Sequence, residues 1–311
     1  MTRRSDSRHE QLAQALDAVM SERGQLINVA YRLLGSLADA EDVVQETYAR
    51  WYAMSGDERR AIASPGAWLT KVTSRVCLDL LRSARARRER YVGQWIPEPV
   101  PYGPDWVSGR SGGTAVDPAD RVTLDESINM AFLVVLESMT PAERVAFILH
   151  DVFRYSFVEV AEIVGRTPAA CRQLASSARH RIDTSHAVAT PTADHAAIVR
   201  KFKRAWQTQD IRALFDVLDP EATATGDGGG VVTAVPYPIE GADEIARFYL
   251  ARADAIADLA IVERTVNGQP GLVVQRDEVT IMVMAFDIAD HQIKHIWAVL
   301  NPEKLRPWST R

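Results

Sequence analysis

From residue 10 to 90 the apolar positions recur every three or four residues, the period of helices buried along one side. Leu12, Leu16 and Val19 predict a first helix ended near Gly24. Leu26, Ile27, Val29, Ala30, Leu33 and Leu34 predict a second ended by Gly35. A third, from about Ala38 to Met54, buries Ala40, Val43, Val44, Thr47, Tyr48 and Trp51 and leaves Asp42, Gln45 and Glu46 on the opposite face. A polar loop is expected from Ser55 to Ser64. Ser64-Pro65 then opens a long helix with Leu69, Val72, Val76 and Leu80 inward and Lys71, Arg75, Asp79 and Arg82 along one face. Its end turns basic, with Arg85, Arg87, Arg88 and Arg90.

The periodicity stops between residues 91 and 118, where Pro97, Pro99, Pro101, Pro104 and Pro118 alternate with Gly103, Gly109, Gly112 and Gly113. Such a stretch is a linker and not one regular element. Trp95, Ile96 and Trp106 within it need an apolar surface elsewhere. A helix is expected from Asp117 to about Glu137. Thr140-Pro141-Ala142-Glu143 reads as a capping box with proline at the first helical position. The stretch Tyr155–Ile182 then reads as a helix-turn-helix. Phe157, Val160, Ala161 and Val164 line its first helix, Gly165 suits a left-handed cap, and Thr167-Pro168 opens the second helix. That second helix buries Cys171, Leu174, Ala175, Ala178 and Ile182 and exposes Arg172, Gln173, Ser176, Arg179 and His180.

After a short Thr/Ala/Pro linker the pattern changes class. Helices are expected near Ala196–Thr208, Asp210–Leu218 and Gly241–Ala257, and a strand at Ala222–Thr225. Alternating strands follow at Ala260–Asn267, Gly271–Gln275, Thr280–Ile288 and His291–Leu300. The domains expected are therefore residues 10–90, a linker at 91–118, residues 119–183, a linker at 184–193, and residues 194–311.

Composition narrows the function. The chain has 311 residues, 47% hydrophobic and 25% charged, with a net charge of −5. A nucleic-acid role must come from local basic patches. Arg and Gln on an exposed helix face can read guanine and adenine edges, while Ser and Arg meet phosphates. The same face would also suit a solvated helical hairpin, and the acidic strip at Asp42 a solvated surface. Trp68 with the basic helix end suits unstacked bases and a DNA backbone. Cys77 and Cys171 fall on apolar faces, as small core residues do in a reducing cytoplasm. No apolar run reaches membrane-spanning length, so a cytoplasmic location is expected. No metal-ligand cluster, phosphate loop or nucleophile triad is evident, and no cofactor is expected.

The segment Asp39–Glu46 resembles the polymerase-binding part of region two of bacterial sigma factors. Pro65–Arg82, with Ala67-Trp68-Leu69 and Asp79-Leu80-Leu81-Arg82, resembles the promoter-melting helix that reads the minus-ten element. Thr140–Ile182 resembles region four, which reads the minus-thirty-five element. The order and the missing regions are those of extracytoplasmic-function sigma factors. The resemblance implies that Asp42, Gln45 and Glu46 meet the clamp helices of core RNA polymerase. It implies that Trp68, Lys71, Arg75, Asp79 and Arg82, with Arg85 and Arg87, face promoter DNA, and that Arg172, Gln173, Ser176 and Arg179 read the upstream element. Some relatives carry Asn where Arg75 stands, so the resemblance implies no base preference at that position.

Three further segments resemble motifs of a subgroup with a C-terminal extension: Trp95-Ile96-Pro97-Glu98-Pro99, Asp227-Gly228-Gly229-Gly230, and Asn301-Pro302-Glu303 with Lys304-Leu305. They are expected to meet and to regulate by contact. The extension itself, helices followed by a curved antiparallel sheet, resembles the SnoaL-like cone of the nuclear-transport-factor-two-like superfamily. That superfamily contains cyclases and isomerases. Asp227, Asp243, His291 and His295 are the acid–base candidates, but no pair has a telling spacing, so a ligand pocket is the stronger expectation. The fold expected is two all-α sigma domains followed by this α+β domain. The function expected is promoter recognition with core polymerase. A ligand-sensing helix-turn-helix repressor or activator is the runner-up, ahead of an enzyme with DNA-binding appendages.

Overall fold

A computed structural model describes residues 21–88, 91, 93–101, 128–185 and 192–309; for residues 84–88, 183–185 and 192–193 it describes the helical backbone alone. The expected helix at Leu12–Val19 and most of the linker lie outside the described residues. Two compact units emerge. The first includes residues 21–83 and 139–178, the second residues 84–101, 128–138 and 179–309.

In the first unit, α1 (Arg23–Leu34) runs through Gly24, contrary to the expected stop there. The Glu22 carbonyl already accepts from the Leu26 amide at 3.0 Å, so the helical ladder crosses the glycine. Burial of Leu26, Ile27, Val29, Ala30 and Leu33 outweighs the ~1 kcal/mol that a helical glycine costs. Gly35 at φ 68° does end the helix. Ser36 caps α2 (Leu37–Ala53), which buries Ala40, Val43, Val44, Thr47 and Trp51; Tyr48 is only half-buried. The loop expected at Ser55–Ser64 contains a short helix, α3 (Gly56–Ala61), because Ser55 and Glu58 form a capping box. The long helix α4 (Pro65–Arg88) buries Leu69, Thr73, Val76, Cys77 and Leu81, while Val72 and Leu80 are half-buried. Leu26, Ile27, Val44, Trp51 and Leu69 form the core of these helices.

Helix α5 (Met130–Glu137) belongs to the second unit. It starts at Asn129, whose side chain accepts from the Phe132 amide at 2.7 Å, rather than running unbroken from Asp117. Residues 117–127 are outside the described set. Back in the first unit, α6 (Pro141–Phe147) carries the Thr140/Glu143 capping box and widens into a π-turn at Ile148–Val152. Ser156 and Glu159 cap α7 (Phe157–Val164), and Gly165 at φ 73° turns the chain into α8 (Pro168–Ser185). Phe157 and Leu174 are half-buried, whereas Val160, Ala161, Val164, Cys171, Ala175 and Ala178 are buried.

The second unit is built on α9 (Thr192–Gln207), α10 (Ile211–Val217), β1 (Leu218–Asp227), β2 (Ile239–Glu240), α11 (Ala242–Leu250), β3 (Ala260–Val266), β4 (Gln269–Arg276), β5 (Val279–Ala289) and β6 (Gln292–Val299). The sheet order is β2-β1-β6-β5-β4-β3. The sheet is mixed and not wholly antiparallel, because β1 and β6 pair in parallel from Thr223↔His295 to Asp227↔Val299. A parallel neighbour requires a crossover, and β2, α11 and the β3–β5 meander supply it. Register shifts in the β1–β6, β4–β5 and β5–β6 pairings bend the sheet. Its inner face packs Leu272, Val274, Met284 and Ile296 on Phe202, Trp206, Ile245 and Tyr249 of the helices. Its outer face packs Val273, Val283, Trp297 and Val299 on Ile96, Met130 and Leu305. Helices on a bent sheet give an α+β layout.

Candidate functional site

The acidic strip on α2 is solvent-facing, with Asp42, Gln45 and Glu46 all exposed while the alternate positions are buried. Glu46 holds Arg50 at 2.5 Å one turn along. A rigid helix thus offers carboxylates outward. On α4, Asp79 and Arg82 are exposed and pair at 3.2 Å. Trp68 is half-buried and packs on Trp51 with ring centroids 5.2 Å apart. The side chains of Arg85 and Arg87 lie outside the described set.

Lys71 and Arg75 are engaged within the same unit. Lys71 Nζ lies 2.5 Å from Glu162 Oε2, and Arg75 Nη2 donates to the Glu162 carbonyl at 2.7 Å. The lysine's hydrogen bond and charge hold the Glu162 carboxyl below its usual pKa. The partner is α7, the first helix of the helix-turn-helix. Deeper in the unit, the buried Arg144 guanidinium donates to the Leu33 carbonyl at 3.0 Å. On α8, Arg172, Gln173 and Ser176 are exposed and Arg179 is half-buried. The Arg172 guanidinium lies over the Phe157 ring at 5.2 Å, which restrains it.

In the second unit three segments far apart in sequence converge on Asp227, which is fully buried. Its carboxylate accepts from Tyr91 Oη at 2.6 Å, the Ile96 amide at 3.1 Å, the Gly229 amide at 3.0 Å and Lys304 Nζ at 2.7 Å. Four donors satisfy a carboxylate that would otherwise be very costly to bury. Burial, then the hydrogen bond to Asp227, pushes the Tyr91 phenol up. Asn301 Nδ2 donates to Tyr91 Oη at 2.9 Å. Lys304 also bonds the Ile96 carbonyl and lies 4.2 Å from the Trp95 ring centroid.

Ile96, Pro97, Glu98 and Pro99 are buried, and Trp95 is half-buried. Further along, Trp308 Nε1 donates to the Pro99 carbonyl at 2.8 Å, and Asn267 exchanges hydrogen bonds with Val100. Glycine is required at two points. A Cβ on Gly228 would lie 1.9 Å from the Val232 carbonyl oxygen, and one on Gly229, at φ 64°, would lie 2.4 Å from Asn301. Pro302 and Glu303 are exposed, so within Asn301–Leu305 the inward residues are Asn301, Lys304 and Leu305. Tyr91, Asn267 and Trp308 are members of this cluster that the motifs did not single out. The one available signal was that a strand-end Asp facing the core demands a cation.

The acid–base candidates do not converge. Asp227 is committed to Lys304, Asp243 is exposed and paired with Arg247, and His291 sits in a turn at φ 61°. His295 lies on the outer sheet face, bonded to Thr223 and stacked 5.5 Å from Trp297. Between the inner face and the helices there is a separate cavity of about 870 Å³ lined by Trp206, Phe248, Val274, Met282, Ala298 and Leu300, among others. Among the described residues no three His, Cys, Asp or Glu side chains group as metal ligands, and no helix is long and apolar enough to cross a membrane.

Residues 18–87 match the family described as Sigma-70 region 2, and residues 129–182 match Sigma-70, region 4. Among curated proteins, the chain is 38% identical over 295 residues to the ECF RNA polymerase sigma factor SigJ of Mycobacterium tuberculosis, covering 91% of this chain and 90% of that one. It is 35% identical to the probable ECF RNA polymerase sigma factor SigI of the same species, covering 97% of each. The crystal structure of Mycobacterium tuberculosis SigJ superposes with a TM-score of 0.71 at 35% identity, over 92% of this chain and 96% of that chain.

Proposed function

The chain belongs to the extracytoplasmic-function RNA polymerase sigma factors, and from that membership we propose how its surfaces divide the work of transcription initiation. As a sigma factor it binds core RNA polymerase and promoter DNA. Asp42, Gln45 and Glu46 dock on the polymerase clamp helices. Trp68, Lys71, Arg75, Asp79 and Arg82, followed by Arg85 and Arg87, track the minus-ten strand. Arg172, Gln173, Ser176 and Arg179 read the minus-thirty-five element. The protein works in the cytoplasm and is not an enzyme; the scattering of Asp227, Asp243, His291 and His295 supports that part of the reading.

The C-terminal domain regulates the sigma segments by contact, as a fused substitute for a separate inhibitory partner, and senses a small ligand. The observation that carries this is the buried Asp227, whose four donors fasten the Tyr91–Pro99 linker, the Gly228–Gly230 loop and the Asn301–Lys304 segment together. A tether needs no such centre, since an unpaired buried carboxylate would be destabilising by ~3–5 kcal/mol. The test is promoter-dependent transcription with purified core polymerase, comparing wild type, Gly229→Glu and a chain ending before Asn301, with folding verified. Altered output in the variants is expected. Equal output from all three would overturn regulation by this contact.

A further inference from the structure

The inner cavity carries a chemical selectivity. Its walls are aromatic and aliphatic, and its lining holds no histidine and a single carboxylate, Glu244. The cationic residues that line it are Arg247, Arg252 and Arg276, and all are exposed, so positive charge gathers where the cavity meets solvent. Arg247 is neutralised by Asp243 and by Glu244, the latter at 3.0 Å. Arg252 lies 3.7 Å over the Phe248 ring, on the cavity wall. Arg276, at the end of β4, has no carboxylate within 4.0 Å among the described residues. An apolar chamber with two unneutralised guanidiniums at its mouth repels cations and gives no advantage to a neutral alkane head. Glu244 is paired with Arg247 and burial pushes the Tyr249 phenol up, so neither lining acid is set for proton transfer and the chamber is built for binding and not for turnover.

We propose that this cavity binds an amphipathic organic acid, with an apolar body of roughly 12–20 non-hydrogen atoms inside and its carboxylate at Arg276 and Arg252. The inference rests on the regulatory reading of the domain and gives it an input. One cavity wall is Thr233–Pro236, which follows the Asp227–Gly230 loop after only Val231 and Val232. The Gly228 carbonyl accepts from the amides of Val231 and Val232 at 3.1 and 3.0 Å, which ties the loop to the residues leading into the wall. On its outer side the wall meets the linker, where Gln94 Nε2 lies 3.5 Å from the Pro236 carbonyl. Occupation of the cavity therefore presses on the segment that fastens the linker.

Titration calorimetry of the full chain with dodecanoate, dodecan-1-ol and dodecyltrimethylammonium tests this. Saturable dodecanoate binding is expected, at least tenfold tighter than the alcohol and tighter still than the cation. Arg276→Gln, an exposed substitution that leaves the core intact, should cut the acid-over-alcohol preference to threefold or less. Ala255→Trp, at the exposed edge of the cavity, should weaken all three. Absence of saturable dodecanoate binding, equal affinity for acid and alcohol, tighter binding of the cation, or an unchanged preference in Arg276→Gln would each overturn the proposal. These measurements use no polymerase, so their failure is separate from failure of the Gly229→Glu transcription test.

Discussion

At the scale of single residues, burial decides chemistry more than residue type does. His195 is 5% exposed, its Nε2 is buried with no partner among the described residues, and burial pushes its pKa from 6.5 down to about 4. The folded protein keeps this ring neutral while the unfolded chain protonates it near pH 6.5. Stability from His195 is therefore complete above that pH and is lost as pH falls toward 4. In urea unfolding between pH 7.5 and 4.5, wild type should lose about 2–3 kcal/mol more than His195→Gln. Identical pH slopes would show that the ring is not held neutral. Single residues were legible where local chemistry fixes them: Gly165 in a left-handed cap, Gly35 ending its helix, and Thr140 reaching three residues ahead. Within Asn301–Leu305 the inward turn of Lys304 rather than Glu303 was not legible, because nothing local tells which of two charged residues turns toward a carboxylate 77 positions away.

At the scale of elements, faces carry the functional argument. The outward strip of α2 has its fold-forming residues on the other side, so Asp42→Lys with Glu46→Lys should leave unfolding unchanged and weaken association with core polymerase. Charge pairs at such interfaces are worth up to about 2–5 kcal/mol when buried and far less at a rim. A folded double variant with wild-type core affinity would refute docking through this face. On α8, Arg172→Ala should relax base preference at one or two upstream positions, costing about 1–3 kcal/mol if the guanidinium grips a guanine. Selection from a randomised promoter pool reads this, and an unchanged upstream motif would remove Arg172 from the readers. Helices with apolar stripes and strands with clean alternation were readable in order and type. The six-residue α3 was missed although Ser55 and Glu58 announce it, and two-residue β2 is too short to leave a period.

At the scale of the whole molecule, what sequence could not convey is pairing between distant elements: β1 beside β6 in parallel, and α7 against α4. The latter contact has a measurable effect. Glu162 occupies Lys71 and Arg75, both expected on the minus-ten strand, so Glu162→Gln should raise the free chain's affinity for single-stranded minus-ten DNA. An exposed pair is worth about 0.2–1 kcal/mol, so the gain should be roughly 1.4- to 5-fold by fluorescence anisotropy. No gain would mean that the pair does not compete with DNA. The Asp227 centre has a different consequence, in the order of synthesis. Ser185 ends the helix-turn-helix, and Lys304 is the 119th residue after it. At about 5–20 residues per second the ribosome needs roughly 6–24 s to cover that distance. For that interval each nascent chain carries the complete helix-turn-helix while the lysine that fastens its linker does not yet exist. A newly made molecule is thus unfastened before it is fastened, and the rate of translation, not only the amount of protein, sets how long polymerase meets it in that form.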